Sequence, residues 1–228
     1  MTPERALRAL AWLARLLSWP FARFDIAGGE ALNNEIDEVI IVVDHRSMYD
    51  VAAGLIVFAR YGRAPRLLIE RRYVEGTWTG PIARAIGAIP VDRAAGGSAA
   101  FAAAVESLAE GNTVLILPEG RLHRPGPDDP LSTGPASTGT ARLAAVAGVP
   151  VVAAGMLGTD RVWPPGRYWP SLNPFRRRPT VTVRIADAPV PLSGTDRHAD
   201  TDAIMAAVRD QMRRCQEAAD ARASVGGA

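Results

Sequence analysis

The sequence predicts a single α/β domain with a largely parallel central sheet flanked by helices, preceded by an N-terminal amphipathic helix. The run at 39–43, Val-Ile-Ile-Val-Val, has strand length and is apolar on both faces, as buried strands of parallel sheets are. Strand-like and helical stretches then alternate along the chain, which is typical of such sheets. The 228 residues, 48% hydrophobic and 22% charged, suffice for one core without disulfides. The single cysteine excludes a disulfide framework.

The first predicted element is an amphipathic helix over residues 4–19. Its leucines fall on one side of a helical wheel and its arginines on the other, with Trp12 and Trp19 beside the arginines. This combination is typical of a helix that lies in a membrane surface, although a helix packed on its own domain shows a similar pattern. Arg15 interrupts the apolar run, and large residues follow where a signal peptide needs small ones. We therefore expect the segment to stay in the mature protein.

The central part of the chain predicts alternating strands and helices. Ser47 and Asp50 have the S-x-x-D spacing of a capping box, which starts a helix after the first strand. The predicted strands cover 39–43, 66–69, 88–91, 113–117, 149–153 and 180–185, and the predicted helices cover 51–60, 77–86, 98–110 and 138–147. Residues 123–139, with four prolines and three glycines, predict an irregular loop.

A last helix is predicted over 200–221, followed by a tail, Ser224–Ala228, that we expect to fray. We divide the chain into an N-terminal amphipathic helix that is a candidate for membrane association (1–24), a central α/β domain (25–198), and the C-terminal helix with its tail (199–228).

Composition excludes several classes of function. The net charge of +2 is too small for a typical nucleic-acid binder. All 26 basic residues are arginine, so neither a lysine Schiff base nor a P-loop lysine exists. The three histidines lack the spacing of metal ligands, and we predict no metal site. No stretch reaches the roughly 18–20 apolar residues of a membrane-spanning helix.

His45 and Asp50 are the best candidates for catalysis. His45 follows the first strand at its carboxyl end, where α/β folds place ligands. Asp50, in the first turn of the next helix, can reach back to hold the imidazole tautomer and stabilise the imidazolium. Asp50 also has the simpler role of capping-box carboxylate. The same spacing recurs at His123 and Asp128, but no helix start positions that carboxylate, and we interpret the second pair as coincidence.

Further polar residues follow other predicted strands at the same sheet edge. Glu119, Gly120 and Arg121 come after the strand 113–117, and a glutamate with an arginine there can bind a polyol and an anionic headgroup. Asp92 and Arg93 come after the strand 88–91. A surface ion pair is the simpler interpretation of Asp92 and Arg93 taken alone.

Four blocks in a fixed order give the sequence a family resemblance. They are His45–Asp50 (H-R-S-M-Y-D), Gly87–Arg93, Pro118–Arg121 (P-E-G-R) and Val149–Val152. They resemble the four signature blocks of the glycerolipid acyltransferases, typified by the 1-acylglycerol-3-phosphate (lysophosphatidate) acyltransferases. The resemblance runs from about residue 36 to about residue 192, and its first and third blocks are highly specific together.

The resemblance implies a lipid acyltransferase. Its H-x4-D pair falls on His45 and Asp50, which would deprotonate an acceptor hydroxyl as it attacks an acyl thioester of coenzyme A or acyl carrier protein. The family residues associated with glycerol phosphate fall on Arg93, Glu119 and Gly120, and we add Arg121 as a second phosphate ligand. No cofactor is implied besides the acyl-CoA or acyl-carrier-protein co-substrate.

The implied partners are a lysophospholipid acceptor and a membrane surface, because proteins of this family are typically membrane-bound. We expect peripheral association with the cytoplasmic face of the cell membrane. No nucleic-acid partner is expected.

The sequence also departs from the family pattern. The third block lacks the threonine of E-G-T-R, a family lysine falls on Arg71, Asp44 stands where asparagine is common, and Ala153 replaces a second proline. These changes leave the base intact and affect the expected phosphate site. Lysophosphatidate is the expected acceptor, whereas glycerol phosphate, another lysophospholipid or a glycolipid stay open, as do the donor, its chain length and the oligomeric state.

Two other functions stay open at this stage. One is a membrane-binding protein without catalysis, in which the N-terminal helix and the aromatic loop 160–179, with its run Arg176–Arg178, bind anionic lipid. The other is a hydrolase that uses the same base with water as the acceptor. No G-x-S-x-G nucleophile turn occurs, and Cys215 falls in a helix interpreted as a surface helix. Transfer without an acyl-enzyme is therefore expected.

Overall fold

A computed structural model describes residues 3–32, 38–77, 79–92, 94–167, 171 and 178–225, with side chains from residue 9 onward. The strands are β1 (Arg23–Gly28), β2 (Ile40–Val43), β3 (Arg66–Glu70), β4 (Ile89–Val91), β5 (Val114–Ile116), β6 (Val151–Leu157) and β7 (Thr180–Ile185). The helices are α1 (Pro3–Ser18), α2 (Tyr49–Arg60), α3 (Arg71–Val74), α4 (Gly80–Ala85), α5 (Ser98–Ala109), α6 (Gly139–Ala147), α7 (Thr159–Val162) and α8 (Arg197–Val225).

The strands form one sheet in the order β1-β7-β6-β2-β5-β3-β4. Strands β2 to β6 are mutually parallel, while β7 runs antiparallel to β6 and pairs in parallel with the edge strand β1. The predicted fold class, a single α/β domain with a largely parallel sheet, is confirmed. Strand β1 was not predicted because its alternation of polar and apolar residues covers only Arg23–Ile26, which is a short signal beside the continuous apolar runs of the other strands.

Strand β2 is buried on both faces, which explains its uninterrupted β-branched sequence. Ile41 and Val43 pack on one side with the apolar face of α2, whereas Ile40 and Val42 pack on the other side with α5, α6 and α8. The domain therefore has three layers, helix, sheet and helix. This packing fixes the direction in which β2 delivers the residues that follow Val43.

The helix α1 packs against α2 and α4 on the first of these faces. Its small residues turn inward, since Ala11 and Ser18 are buried, and Leu10 is partly buried against the core. The predicted leucine stripe is therefore split between the core and the surface. Its larger apolar side chains are exposed: Trp12, Leu13, Leu16, Leu17 and, directly after the helix, Trp19.

The helix α8 spans 29 residues and packs along β6 and β7. It extends past the predicted end at residue 221, and Ser224 and Val225, expected to fray, lie in its last turn. Cys215 was expected in a surface helix, and this expectation is wrong because its side chain is fully buried against β6, where the thiol donates to the Gly155 C=O. Among the described helices, none combines the length and the apolar character needed to cross a bilayer.

Gly155 permits this close approach of α8 to β6. A Cβ at Gly155 would lie 2.4 Å from the Met212 backbone nitrogen, whereas a Cβ at Gly54 in α2 would meet only ordinary contacts, the nearest at 3.7 Å. We predict that Gly155→Ala lowers the free energy of unfolding by about 1–3 kcal/mol through overpacking. The matched change Gly54→Ala should leave it unchanged or raise it by about 0.5–1 kcal/mol, because alanine favours the helix. Urea unfolding of both variants measures the difference, and equal effects would contradict the assigned contact.

Candidate active site

The turn between β2 and α2 brings His45 and Asp50 together. Asp50 Oδ2 lies 2.9 Å from His45 Nδ1 and also accepts the backbone N–H groups of Arg46 and Ser47, at 2.8 and 2.9 Å. Ser47 Oγ accepts the Tyr49 N–H at 3.0 Å, one residue earlier than the Asp50 N–H of a full capping box, so only the Asp50 half of the predicted box is formed by side-chain bonds. The capping function and the contact with His45 are therefore made by the same carboxylate oxygen.

This arrangement selects the histidine tautomer. A carboxylate only accepts hydrogen bonds, so in the neutral imidazole of His45 the proton lies on Nδ1 and Nε2 keeps its lone pair. Within the described part of the chain, no hydrogen bond engages Nε2. The side chain of His45 is 17% exposed and that of Asp50 only 3%, so the imidazole is accessible to solvent whereas the carboxylate is buried. The pair has the chemistry of a general base with an orienting carboxylate.

Glu119 holds the backbone of this turn from the neighbouring strand. Its Oε1 accepts the His45 N–H at 3.2 Å and its Oε2 accepts the Gly134 N–H at 2.7 Å, and the side chain is buried. The sequence predicts a contact between Glu119 and the acceptor, which stays a prediction. The positioning contact with His45 was not predicted, because sequence order does not show that β5 pairs beside β2.

The other candidate binding residues follow neighbouring strands. Gly120 occupies a left-handed turn (φ +64°) and donates its N–H to the Leu117 C=O. The next residue, Arg121, is exposed and has no ion pair among the described residues. Arg93 lies outside the described residues, although Asp92 before it is 3.6 Å from Arg71 Nε at the end of β3.

A second carboxylate, Asp44, lies beneath the site. It is 2% exposed, and it accepts the Met156 N–H through Oδ1 at 2.9 Å and Arg46 Nε through Oδ2 at 3.0 Å. Burial, and then the nearby Asp50 charge, raise the pKa of Asp44 from 3.8 to about 7, against the opposing effect of Arg46. Asp44 was noted in the sequence only as a departure from a common asparagine, and a charged residue directly after a fully buried strand was the available signal.

The remaining candidate groups are engaged elsewhere. His123 Nε2 contacts Ser132 Oγ at 3.2 Å, and no contact with Asp128 is recorded among the described residues. Burial raises the pKa of the Cys215 thiol to about 12, which removes it as a thiolate nucleophile. In the described ranges, no three His, Cys, Asp or Glu side chains are grouped so that they could hold a metal ion.

Comparison with known proteins finds a matching family model and a similar fold. A family model described as Acyltransferase matches residues 23–157, more than half of the chain and the part that contains β1 to β6. The fold is similar to the crystal structure of the 1-acyl-sn-glycerophosphate (LPA) acyltransferase PlsC from Thermotoga maritima, with a TM-score of 0.66. The sequences are 19% identical, and the match covers 92% of this chain and 78% of that one. No curated protein matches the chain.

The raised pKa of Asp44 predicts a pH-dependent stability. The folded protein binds this proton more tightly than the unfolded chain, so the contribution is fully present below about pH 4 and is lost as the pH rises through about 7. It amounts to at most about 4 kcal/mol, since one pKa unit corresponds to about 1.4 kcal/mol. We expect Asp44→Asn to reduce this decline between pH 5 and 8 in urea unfolding. An unchanged slope would show that Asp44 is ionised throughout.

Proposed function

The chain belongs to the acyltransferase family, and we propose that it transfers a fatty acyl group from acyl-CoA or acyl carrier protein to a hydroxyl of a lysophospholipid such as 1-acylglycerol-3-phosphate. The observation that carries the proposal is the contact of 2.9 Å between His45 Nδ1 and Asp50 Oδ2, at the carboxyl edge of the sheet. It leaves Nε2 with a lone pair that can accept a proton from a hydroxyl.

The proposed reaction is a direct transfer. His45 Nε2 takes the proton of the acceptor hydroxyl as its oxygen attacks the thioester carbonyl, and Asp50 stabilises the imidazolium that forms. The C–S bond then breaks, and the imidazolium returns the proton to the departing thiolate. The acyl group is left as an ester on the acceptor, and a free thiol is released.

Side-chain engagement supports a mechanism without an acyl-enzyme. Ser47, the hydroxyl nearest to His45 in the turn, is fully buried and donates to the Trp163 C=O at 2.7 Å. Cys215 is buried against β6. Neither side chain is available as a nucleophile, so the acceptor hydroxyl itself is the proposed attacking group.

The strand order supports a phosphate site beside the base. Strands β2, β5, β3 and β4 are neighbours, and His45, Arg121, Arg71 and Arg93 follow them in that order. Adjacent strands lie about 4.8 Å apart, so the edge from β2 to β4 spans about 14 Å. We propose that Arg121 and Arg93, together with Arg71, bind the acceptor phosphate while its hydroxyl reaches His45. Planar guanidinium groups suit such two-point contacts with phosphate.

The exposed apolar surface supports peripheral binding to a membrane. Seven of the nine exposed large apolar residues of the described chain lie on α1, directly after it, before α2 or on α4: Trp12, Leu13, Leu16, Leu17, Trp19, Met48 and Ile82. An ordinary surface helix turns such side chains inward, whereas α1 exposes 62% of Leu17 and 69% of Trp19. We propose that this α1 face lies in the cytoplasmic surface of the cell membrane.

Charge beside this face favours anionic lipid. Arg15 is exposed on α1, and the guanidinium of Arg178 lies 5.3 Å from the Trp19 ring centre while donating to the Trp19 C=O. Of the predicted aromatic, arginine-rich loop, Tyr168, Trp169 and residues 172–177 lie outside the described residues. Met48 is adjacent to the catalytic turn, so a membrane on this side would bring lipid substrates to His45.

We predict that His45→Ala lowers kcat for thiol release from acyl-CoA by about 10²–10⁴-fold, because it removes the general base. The assay measures thiol release from a panel of acyl-CoA and acyl-carrier-protein donors, with and without lysophosphatidate. His198→Ala is the matched control, since His198 is an exposed histidine on α8. Circular dichroism of both variants checks that they fold.

The outcomes separate the candidate functions. Release that needs both lysophosphatidate and His45 supports the acyltransferase with this acceptor. Release without any acceptor, insensitive to Arg93→Ala and Arg121→Ala, indicates a hydrolase. Unchanged turnover in His45→Ala rejects His45 as the base. If no thiol is released with any lipid hydroxyl tested, the membrane-binding protein without catalysis is the remaining interpretation.

We predict that Leu16→Glu with Leu17→Glu abolishes most binding to vesicles that contain anionic lipid. Each substitution replaces apolar burial of up to about 1.5–3 kcal/mol with a charge, so the affinity should fall by at least about tenfold. Val146→Glu, at an exposed apolar residue of α6, is the matched control. Co-sedimentation with vesicles measures binding, and equal binding of all three proteins would contradict the assignment of this face.

A further inference from the structure

The peptide backbone of His45 is fixed on both sides by residues from beyond β5. Its N–H donates to Glu119 Oε1 at 3.2 Å, and its C=O accepts the His123 N–H at 2.8 Å. Glu119 also accepts the Gly134 N–H, and His123 Nε2 contacts Ser132 Oγ. Both restraints on His45 therefore depend on the position of the loop segment 130–134.

Arg46 holds that segment. Its Nη1 donates to the Pro130 C=O at 2.8 Å and its Nη2 donates to the Ser132 C=O at 3.2 Å, while the side chain is only 8% exposed. A guanidinium spans two carbonyls with a fixed planar fork, which a lysine ammonium does not reproduce. Because Arg46 directly follows His45, the contacts close a ring from Arg46 through the loop and Glu119 back to His45.

Asp44 connects this ring to the central sheet. It is the buried counter-ion of Arg46, and through Met156 it bonds to β6, the strand beside β2. Residues 123–138 contain no helix or strand of their own. An irregular loop without a backbone ladder takes its shape from such side-chain contacts.

We propose that Arg46 is a positioning residue for acyl transfer, whose guanidinium holds the segment 130–134 where Glu119 and His123 orient the backbone of His45. The inference rests on the proposed function of the His45 and Asp50 pair. Arg46 acts through Glu119 and His123, and Asp44 serves as its counter-ion. A displacement of the base by about 1 Å is enough to cost about 10²-fold in rate.

Three variants separate positioning from charge pairing. Arg46→Gln removes the fork but leaves Asp44 buried beside no cation, which endangers folding. Asp44→Asn combined with Arg46→Gln removes both charges and so avoids that cost. Arg46→Lys keeps a charge near Asp44 without spanning the two carbonyls. Arg184→Gln is the control, because Arg184 is a part-buried arginine of β7 that pairs with Asp25 of the edge strand β1.

The experiment combines hydrogen exchange with steady-state kinetics. Exchange is followed in peptides that cover 44–50 and 123–138, and kcat and KM are measured for thiol release from acyl-CoA with lysophosphatidate. We expect the double variant to fold with a Tm near that of the wild type, to exchange faster in both peptides, and to lose about 10²-fold in kcat with little change in KM. Arg46→Lys should be intermediate, and Arg184→Gln should change neither peptide.

Two results would overturn the inference. Unchanged exchange of 123–138 in every Arg46 variant would show that the guanidinium does not hold the loop, whatever the activity. A double variant with the kcat of the wild type would show that only charge compensation matters. If the wild type transfers no acyl group to any acceptor, the proposed function fails instead, and the exchange data still decide whether Arg46 fixes the His45 turn.

Discussion

The Oδ2 atom of Asp50 is the point on which the turn after β2 is built. One carboxylate oxygen accepts the backbone N–H groups of Arg46 and Ser47, in the turn just before α2, and the Nδ1–H of His45. The same carboxylate thus holds the turn before α2 and sets the tautomer of His45. Because Asp50 Oδ1 is buried with no donor among the described residues, the charge is compensated chiefly at Oδ2.

Several ionisable side chains are buried around Asp50 at the carboxyl edge of the sheet. Asp44, Arg46 and Glu119 are all buried, and each bonds to backbone groups of a different segment. Buried charges are costly unless they are paired and hydrogen-bonded. Here the pairing and hydrogen bonds join β2, β6 and the loop after β5, and they give the His45 turn a defined position.

The helix α1 packs on the domain through one face and exposes large apolar side chains on the other. Its small residues allow close packing on α2 and α4, while its largest apolar side chains face away from the domain. Such a face is unfavourable in water, and an apolar surface partner stabilises it. The family match and the position of this apolar face beside the His45 turn fit the proposed enzyme, which would meet its lipid substrates at a membrane surface.

The sequence by itself determined the elements with strong local signals. The β-branched run of β2 and the alternation of strands and helices predicted the α/β fold. The spacing of His45 and Asp50, with Asp50 in the first turn of α2, predicted their contact, because the two residues are only five apart in the chain. The tertiary structure decided four other features. These are the edge strand β1, the antiparallel direction of β7, the burial of Cys215, and the contacts of Glu119 and Arg46 that hold the His45 turn. Their partners lie far away in sequence, and only the order of strands in the sheet and the packing of α8 bring them together.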